Sequence, residues 1–143
     1  MGNKIPDSHG DLLAGPVNVV LTTIMPDGQP QTTPVWCNLD GGDVLINTMK
    51  QFRKAKNMAA NPKVTLLAYK LKEPLRNIEV RGRVVEMSEE GAIAHADKQT
   101  QAYSNNTKQR FYGDIYPAEQ RTKETRVIVK VLPKKVTTDA IFS

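Results

Sequence analysis

Early in this chain three runs of strand-forming residues are separated by two short glycine-containing turns, a spacing that commits the region to antiparallel β-structure linked by hairpins. Val17 to Met25 is rich in β-branched residues and reads as a strand. Pro26-Asp27-Gly28 supplies a turn with a residue suited to positive φ. Gln29 to Asn38 resumes as a strand, and because Pro30 and Pro34 cannot donate to a ladder it belongs at an edge or a bulge. Asp40-Gly41-Gly42 is a second hairpin signal, followed by the buried-type strand Val44-Leu45-Ile46. The three strands form a meander.

From Thr48 the period changes. Met49, Phe52, Ala55 and Met58 or Ala59 recur at helical spacing, while Lys50, Arg53, Lys54 and Asn57 occupy i, i+3, i+4 and i+7 on another face. This predicts an amphipathic helix from Met49 to Ala60, capped by Asn47 or Thr48 and stopped by Asn61-Pro62. Lys63 to Tyr69 returns to strand, and Ile78 to Met87 alternates as a half-exposed one. Ser88-Glu89-Glu90 opens a second helix running to Tyr103, with acidic residues where the helix dipole favours them. Asn105 to Lys123 is a polar connection with a helical turn near Lys108 to Tyr112. Arg126 to Leu132 alternates again, Pro133 interrupts, and Val136-Thr137-Thr138 follows; a short helical piece is expected around Asp11 to Ala14. Six strands with two inserted helices favour a mainly β, antiparallel barrel over a doubly wound parallel sheet.

The length of 143 residues suits one domain, residues 1–143. With 39% apolar and 24% charged residues the chain reads as globular. It shows no secretory signal pattern, and no apolar run approaches the roughly 20 residues that span a bilayer, so the expectation is a cytoplasmic protein with no membrane partner. One cysteine, Cys37, excludes an internal disulfide, and two histidines, His9 and His95, leave no metal-ligand spacing, so no metal is expected. Cys37 reads as a small buried side chain and His95 as exposed on a polar helix. The formal charge of +5 points to an anionic partner. Nucleic acid is disfavoured, because aromatic residues make up only 6% of the chain and form no stacking motif.

Lys50 to Lys63 holds five basic residues and no acidic one. The stripe of Lys50, Arg53, Lys54 and Asn57 could grip a phosphate, with a guanidinium fork, mobile ammonium groups and an amide donor. It could equally be a solvated face. Trp36 is open in the same way, between a core role and a ligand wall.

The segments Thr33-Pro34-Val35-Trp36, Asp40 to Thr48, Arg53-Lys54-Ala55-Lys56-Asn57-Met58 and Asn61-Pro62-Lys63-Val64 resemble, in order and spacing, the pyridoxamine 5′-phosphate oxidase-like family of FMN-binding split β-barrels. Ile78 to Val84 and Arg126 to Pro133 extend the resemblance to most of the chain. It implies a six-stranded Greek-key split barrel. It also implies that Arg53 and Lys54 hold the phosphate of FMN or of the deazaflavin coenzyme F420, supported by Asn57 or Lys50. Asn47 and Thr48 would contact the polyol or ring edge, and Pro34, Val35 and Trp36 would flank the ring. The family forms homodimers with the cofactor at the subunit interface, where Arg81, Tyr112 or Arg126 would come from the second subunit. Full pyridoxamine phosphate oxidases continue into a substrate-binding segment with arginine and histidine; here the sequence reads Asp139-Ala140-Ile141-Phe142-Ser143 instead. The Pro-Val-Trp, Gly-Gly and Ile-Glu-Val-Arg-Gly elements resemble the short F420-dependent subgroup. The expected activity is therefore an oxidoreductase moving hydride to or from a small organic substrate with coenzyme F420. Spare cations Lys4, Lys56 and Lys63 would suit an anionic tail. The alternatives are an FMN-dependent relative and a non-enzymatic flavin or haem binder.

Overall fold

The computed structural model describes residues 4–140. A 3-10 turn, Asp7–Leu13, precedes strands β1 (Asn18–Ile24), β2 (Pro30–Val35), β3 (Cys37–Asp40) and β4 (Asp43–Met49). Helix α1 (Arg53–Ala60) leads to β5 (Lys63–Tyr69) and β6 (Asn77–Ser88). Helix α2 (Ala92–Ser104), two short irregular turns at Phe111–Ile115 and Ala118–Thr122, and β7 (Arg126–Thr138) complete it.

All strand pairs are antiparallel, in the order β2-β1-β5-β6-β7-β4-β3. The two edges of this sheet, β2 and β3, are separated in sequence only by Trp36. The sheet therefore curls until its edges meet, the half-open closure of a split barrel. The strand expected over Gln29–Asn38 is thus two strands, one on each edge, and the barrel has seven rather than six. Pro30 and Pro34 sit opposite Ile24 and Val20 with their other side unpaired, so their missing N–H groups cost no ladder bond.

Inward residues alternate with outward ones: Val19 and Leu21 on β1, Val44 and Ile46 on β4, Val127, Val129 and Val131 on β7 are all buried, and Met58 of α1 closes one end. Burying each such side chain contributes about 1.5–3 kcal/mol, set against the entropy of ordering it. The register between β6 and β7 shifts at Arg81/Gly82 and again at Val84/Glu86. Such bulges add the twist a curled sheet needs. Gly82 is required there, since a Cβ would lie 2.6 Å from Val131 Cγ1 and 3.0 Å from the Leu132 carbonyl. Pro133 faces Gly82 at this irregularity, so β7 passes through it without breaking.

Three element boundaries differ from the sequence reading. β4 runs through Asn47 and Thr48 to Met49, because these residues pair with Ile128, Val127 and Arg126 of β7. Asn47 and Thr48 are strand residues, not caps; Phe52 is the N-cap, without a side-chain cap bond, and the helix is four residues shorter than Met49–Ala60 at its start. β6 likewise continues to Ser88 by pairing with Ile128, which delays α2 to Ala92. The N-terminal piece is 3-10 helix, and the turn expected near Lys108 to Tyr112 forms at Phe111–Ile115. In each of the first two cases ladder bonds to β7 outcompete local helical periodicity. Ile141, Phe142 and Ser143 lie outside the described residues.

Candidate functional site

A cleft of about 660 Å³ opens where β1, the β2–β3 break, the end of β4 and the start of α1 converge under α2 and the Phe111–Ile115 turn. Its volume is in the range of small-molecule sites. One wall is Pro34, Val35 and Trp36. Because the chain changes sheet edge at Trp36, the indole is turned out of the barrel core. It is half-buried and stacks on Tyr103 of α2, with ring centroids 5.1 Å apart and planes 18° from parallel. Tyr103 also accepts a hydrogen bond from the Cys37 backbone N–H, at 3.1 Å. Burial raises its phenol to a pKa of about 12.

The polar end is built by β4, α1 and β7. Asn47, Thr48, Lys54 and Arg126 all line the cleft. Arg126 opens β7 opposite Met49 and is 8% exposed. Its guanidinium donates from Nη1 to Asn47 Oδ1 (3.3 Å) and from Nε to the Tyr112 hydroxyl (3.1 Å), and lies 4.0 Å from the centre of the Phe111 ring. Tyr112 in turn donates to Glu124 at 2.9 Å. Lys54 lies over Phe52, 5.8 Å from the ring centre. Its pKa is pushed down, first by burial and then by the charge of Arg126. Among the described residues neither Lys54 nor Arg126 pairs with a carboxylate. The Thr48 hydroxyl is buried with no hydrogen-bond partner among the described residues. A half-buried lysine, a buried arginine and a buried hydroxyl without a partner among the described residues form an electrostatic arrangement that an anionic, hydrogen-bonding ligand would complete.

Of the residues singled out in the sequence, Pro34, Val35, Trp36, Asn47, Thr48 and Lys54 meet in this cleft. Lys50, Arg53 and Asn57 do not line it. Lys50 belongs to the turn before α1 and forms an ion pair with Glu89. Asn57 is buried; its amide donates to Thr23 Oγ1 (3.0 Å) and Gln31 Oε1 (3.3 Å), tying α1 to the first hairpin. Arg53, exposed at the first turn of α1, points Nη1 toward Asn57 Oδ1 at 3.5 Å. The helical stripe is therefore split: Lys54 faces the cleft, Arg53 is beside its helix, and Asn57 supports the fold.

His95 corrects another expectation. Rather than exposed, it is buried, with Nδ1 3.0 Å from Asn47 Nδ2 and Nε2 2.8 Å from Asn38 Oδ1. Cys37 is buried as expected; its thiol is raised to about 12 by desolvation and donates to the Leu13 carbonyl. Arg126, expected from a second subunit, lines this chain's own cleft, and Tyr112, expected there too, accepts a hydrogen bond from it. Phe111, Tyr116, Gln99 and Tyr103 also line it and carried no local signal in the sequence.

The curled antiparallel sheet with its cleft defines a split β-barrel. The chain belongs to the pyridoxamine 5′-phosphate oxidase family, whose model matches residues 5–139. No curated protein matches it. Among solved structures it is similar to an F420 reductase, with 28% identity, 93% of this chain and 98% of that one covered, and a TM-score of 0.78. It also superposes on a conserved protein of Mycobacterium tuberculosis (21% identity, 96% and 87% covered, TM-score 0.70). HupZ of Group A Streptococcus shares the fold at 18% identity, with 94% and 98% covered and a TM-score of 0.65.

Proposed function

We propose that this protein is an oxidoreductase that binds coenzyme F420 in the Trp36–Arg126 cleft and moves hydride between it and a small organic substrate. The carrying observation is the cationic end of the cleft, where Lys54 and Arg126 lie together without a carboxylate and Lys54 is destabilised in its charged form. A phosphate relieves that repulsion. Similarity to an F420 reductase over nearly the whole of both chains favours the deazaflavin over FMN.

The residues present fit such a group. Lys54 and Arg126 would take the phosphate, with Arg53 able to swing in from the first turn of α1. The unsatisfied Thr48 hydroxyl and the Asn47 side chain would meet the polyol or ring edge. Pro34, Val35 and Trp36 would flank the ring. The cofactor supplies the hydride chemistry; the protein supplies position, a water-poor wall and fixed donors. Phe52, Leu71 and Ile115, all exposed, border the same cleft, which supports a homodimer in which a second subunit covers the mouth. An imidazole-ligated haem fits poorly, since both ring nitrogens of His9 and of His95 are hydrogen-bonded.

The test is parallel titration of the purified protein with coenzyme F420 and FMN by fluorescence, followed by turnover with added acceptors. Coenzyme F420 binding more tightly, with reoxidation of its reduced form accelerated by the protein, is the expected result. Tighter FMN binding transfers the reading to the FMN-dependent alternative. Binding without acceleration makes the protein a carrier, and binding of neither ends the proposal.

A further inference from the structure

The polar end of the cleft continues inward as one hydrogen-bonded chain. Arg126 Nη1 donates to Asn47 Oδ1, Asn47 Nδ2 lies 2.7 Å from the Ala92 carbonyl and 3.0 Å from His95 Nδ1, and His95 Nε2 lies 2.8 Å from Asn38 Oδ1. The orientation of the Asn47 amide is over-determined. A backbone carbonyl can only accept and a guanidinium can only donate, so the NH₂ must face Ala92 and the oxygen must face Arg126. His95 Nδ1 therefore meets a donor and must itself be an acceptor. The ring is neutral, with its proton on Nε2 directed at Asn38 Oδ1, which also accepts from Gln99 Nε2 at 2.8 Å.

Protonation of Nδ1 would set two donors against each other. Turning the Asn47 amide over would relieve that contact, but it would break the bond to Ala92 and aim the NH₂ at the guanidinium. The imidazolium and the seated Arg126 are thus mutually exclusive arrangements of one side chain, Asn47. We propose that His95 and Asn47 are positioning residues for Arg126, and that the cleft holds an anion at Arg126 only while His95 is neutral.

The surroundings of His95 favour the neutral form from every side. Its own helix contributes the positive charge of Lys98 and the positive end of the α2 dipole, His95 N–H bonding to the Gly91 carbonyl in the first turn. β3 and β4 contribute the neutral amides Asn38 and Asn47, and β7 contributes Arg126 behind Asn47. The nearby carboxylates are engaged elsewhere: Asp97 accepts from the Phe111 N–H and from Arg110, Glu89 pairs with Lys50, and Glu124 accepts from Tyr112. Burial, then Lys98, lowers the imidazole pKa.

This inference rests on the cationic end of the cleft being an anion site, but not on which cofactor brings the anion. Inorganic sulfate is the suitable probe, because it keeps its charge while histidine titrates. The measurement is the His95 pKa by NMR, following its ring signals with and without saturating sulfate. Linkage requires an anion that prefers the neutral-His95 state to lower that pKa. A nearby anion acting through its charge alone would raise it, and a purely structural His95 would leave it unmoved; either outcome overturns the proposal, as does failure of sulfate to bind. His95→Gln, whose amide can accept from Asn47 and donate to Asn38, should abolish the pH dependence of sulfate affinity between about pH 5 and 8. His95→Leu should weaken sulfate at every pH in that window, by roughly tenfold if Arg126 is released. Should His95→Leu fail to fold, the wild-type titration and His95→Gln still decide. A lowered pKa with neither flavin bound would uphold this inference while ending the cofactor proposal; flavin binding with a raised pKa would do the reverse.

Discussion

Two places on this molecule gather a lysine and an arginine, and they are electrostatic opposites. Beside the N-terminal 3-10 turn, Lys70 Nζ lies 2.9 Å from Asp11 Oδ2 and Arg76 Nη2 lies 2.6 Å from Asp11 Oδ1. The carboxylate is shared by both cations and is held far below the usual carboxylate range by those hydrogen bonds. In the cleft, Lys54 and Arg126 have no such partner, and it is the lysine that is pushed out of its ordinary range, downward. The first cluster is finished and ties the turn to the β5–β6 loop. The second is unfinished: its two charges repel each other, neutral amide, hydroxyl and ring contacts offset their desolvation only in part, and a bound anion would remove the deficit. Lys50 makes the same point a few residues away. It comes from the same basic run as Lys54, but Glu89 neutralises it.

The contrast can be broken most directly at the cleft. Lys54→Met and Arg126→Met should each weaken binding of coenzyme F420 and FMN by roughly tenfold or more, the scale of a lost charge-assisted contact, whereas Lys50→Met should change it less than about twofold. Fluorescence titration reads all three, and equal effects at Lys50 and Lys54 would dissolve the distinction. Finishing the unfinished cluster should have the opposite consequence for stability. Lys54→Glu gives Arg126 a carboxylate, so urea unfolding should show a gain of about 0.5–1 kcal/mol while cofactor binding is lost. A destabilised Lys54→Glu protein would show that the two cations are not in conflict.

The smallest effect is expected at the finished cluster. Asp11→Asn leaves Lys70 and Arg76 unpaired but solvated, and should cost at most about 1 kcal/mol, less in high salt. The wild-type contribution has a defined pH window. Because the folded-state pKa of Asp11 is lowered from 3.8, its stabilisation is present above that value and is lost as pH falls from there through the folded value. Acid titrations of unfolding should therefore converge for wild type and Asp11→Asn at low pH. A constant gap down to the acid limit would place the effect of Asp11 outside its ion pairs.

Much of the barrel was readable along the chain. The Pro-Asp-Gly and Asp-Gly-Gly turns and the alternating Val and Ile residues of β1, β4 and β7 specify hairpins and an inward face through backbone geometry and apolar burial, both local properties. Pro30 and Pro34 marked an edge correctly, but that Trp36 divides one apparent strand between the two edges of the sheet depends on closure of the barrel. The site was half legible for the same reason. Pro34, Val35, Trp36, Asn47, Thr48 and Lys54, which line one cleft, stand in local motifs of the sequence. Lys50 was grouped with Lys54 by a helical period that begins too early, since β4 continues to Met49 on hydrogen bonds supplied by β7, whereas Asn57 does stand in α1 but turns to Thr23 and Gln31 of the first hairpin.

By itself the sequence determined the kind of barrel, the apolar faces of its strands and a basic segment at the start of one helix. Local φ/ψ preferences and residue periodicity carry that information. Only the tertiary structure decided which cations remain unpaired. Whether a lysine meets Glu89 or Arg126, and whether His95 is exposed or locked behind Asn47, depends on contacts between residues far apart in the chain. Electrostatic energy depends on distance and burial, and neither is written in the order of the residues.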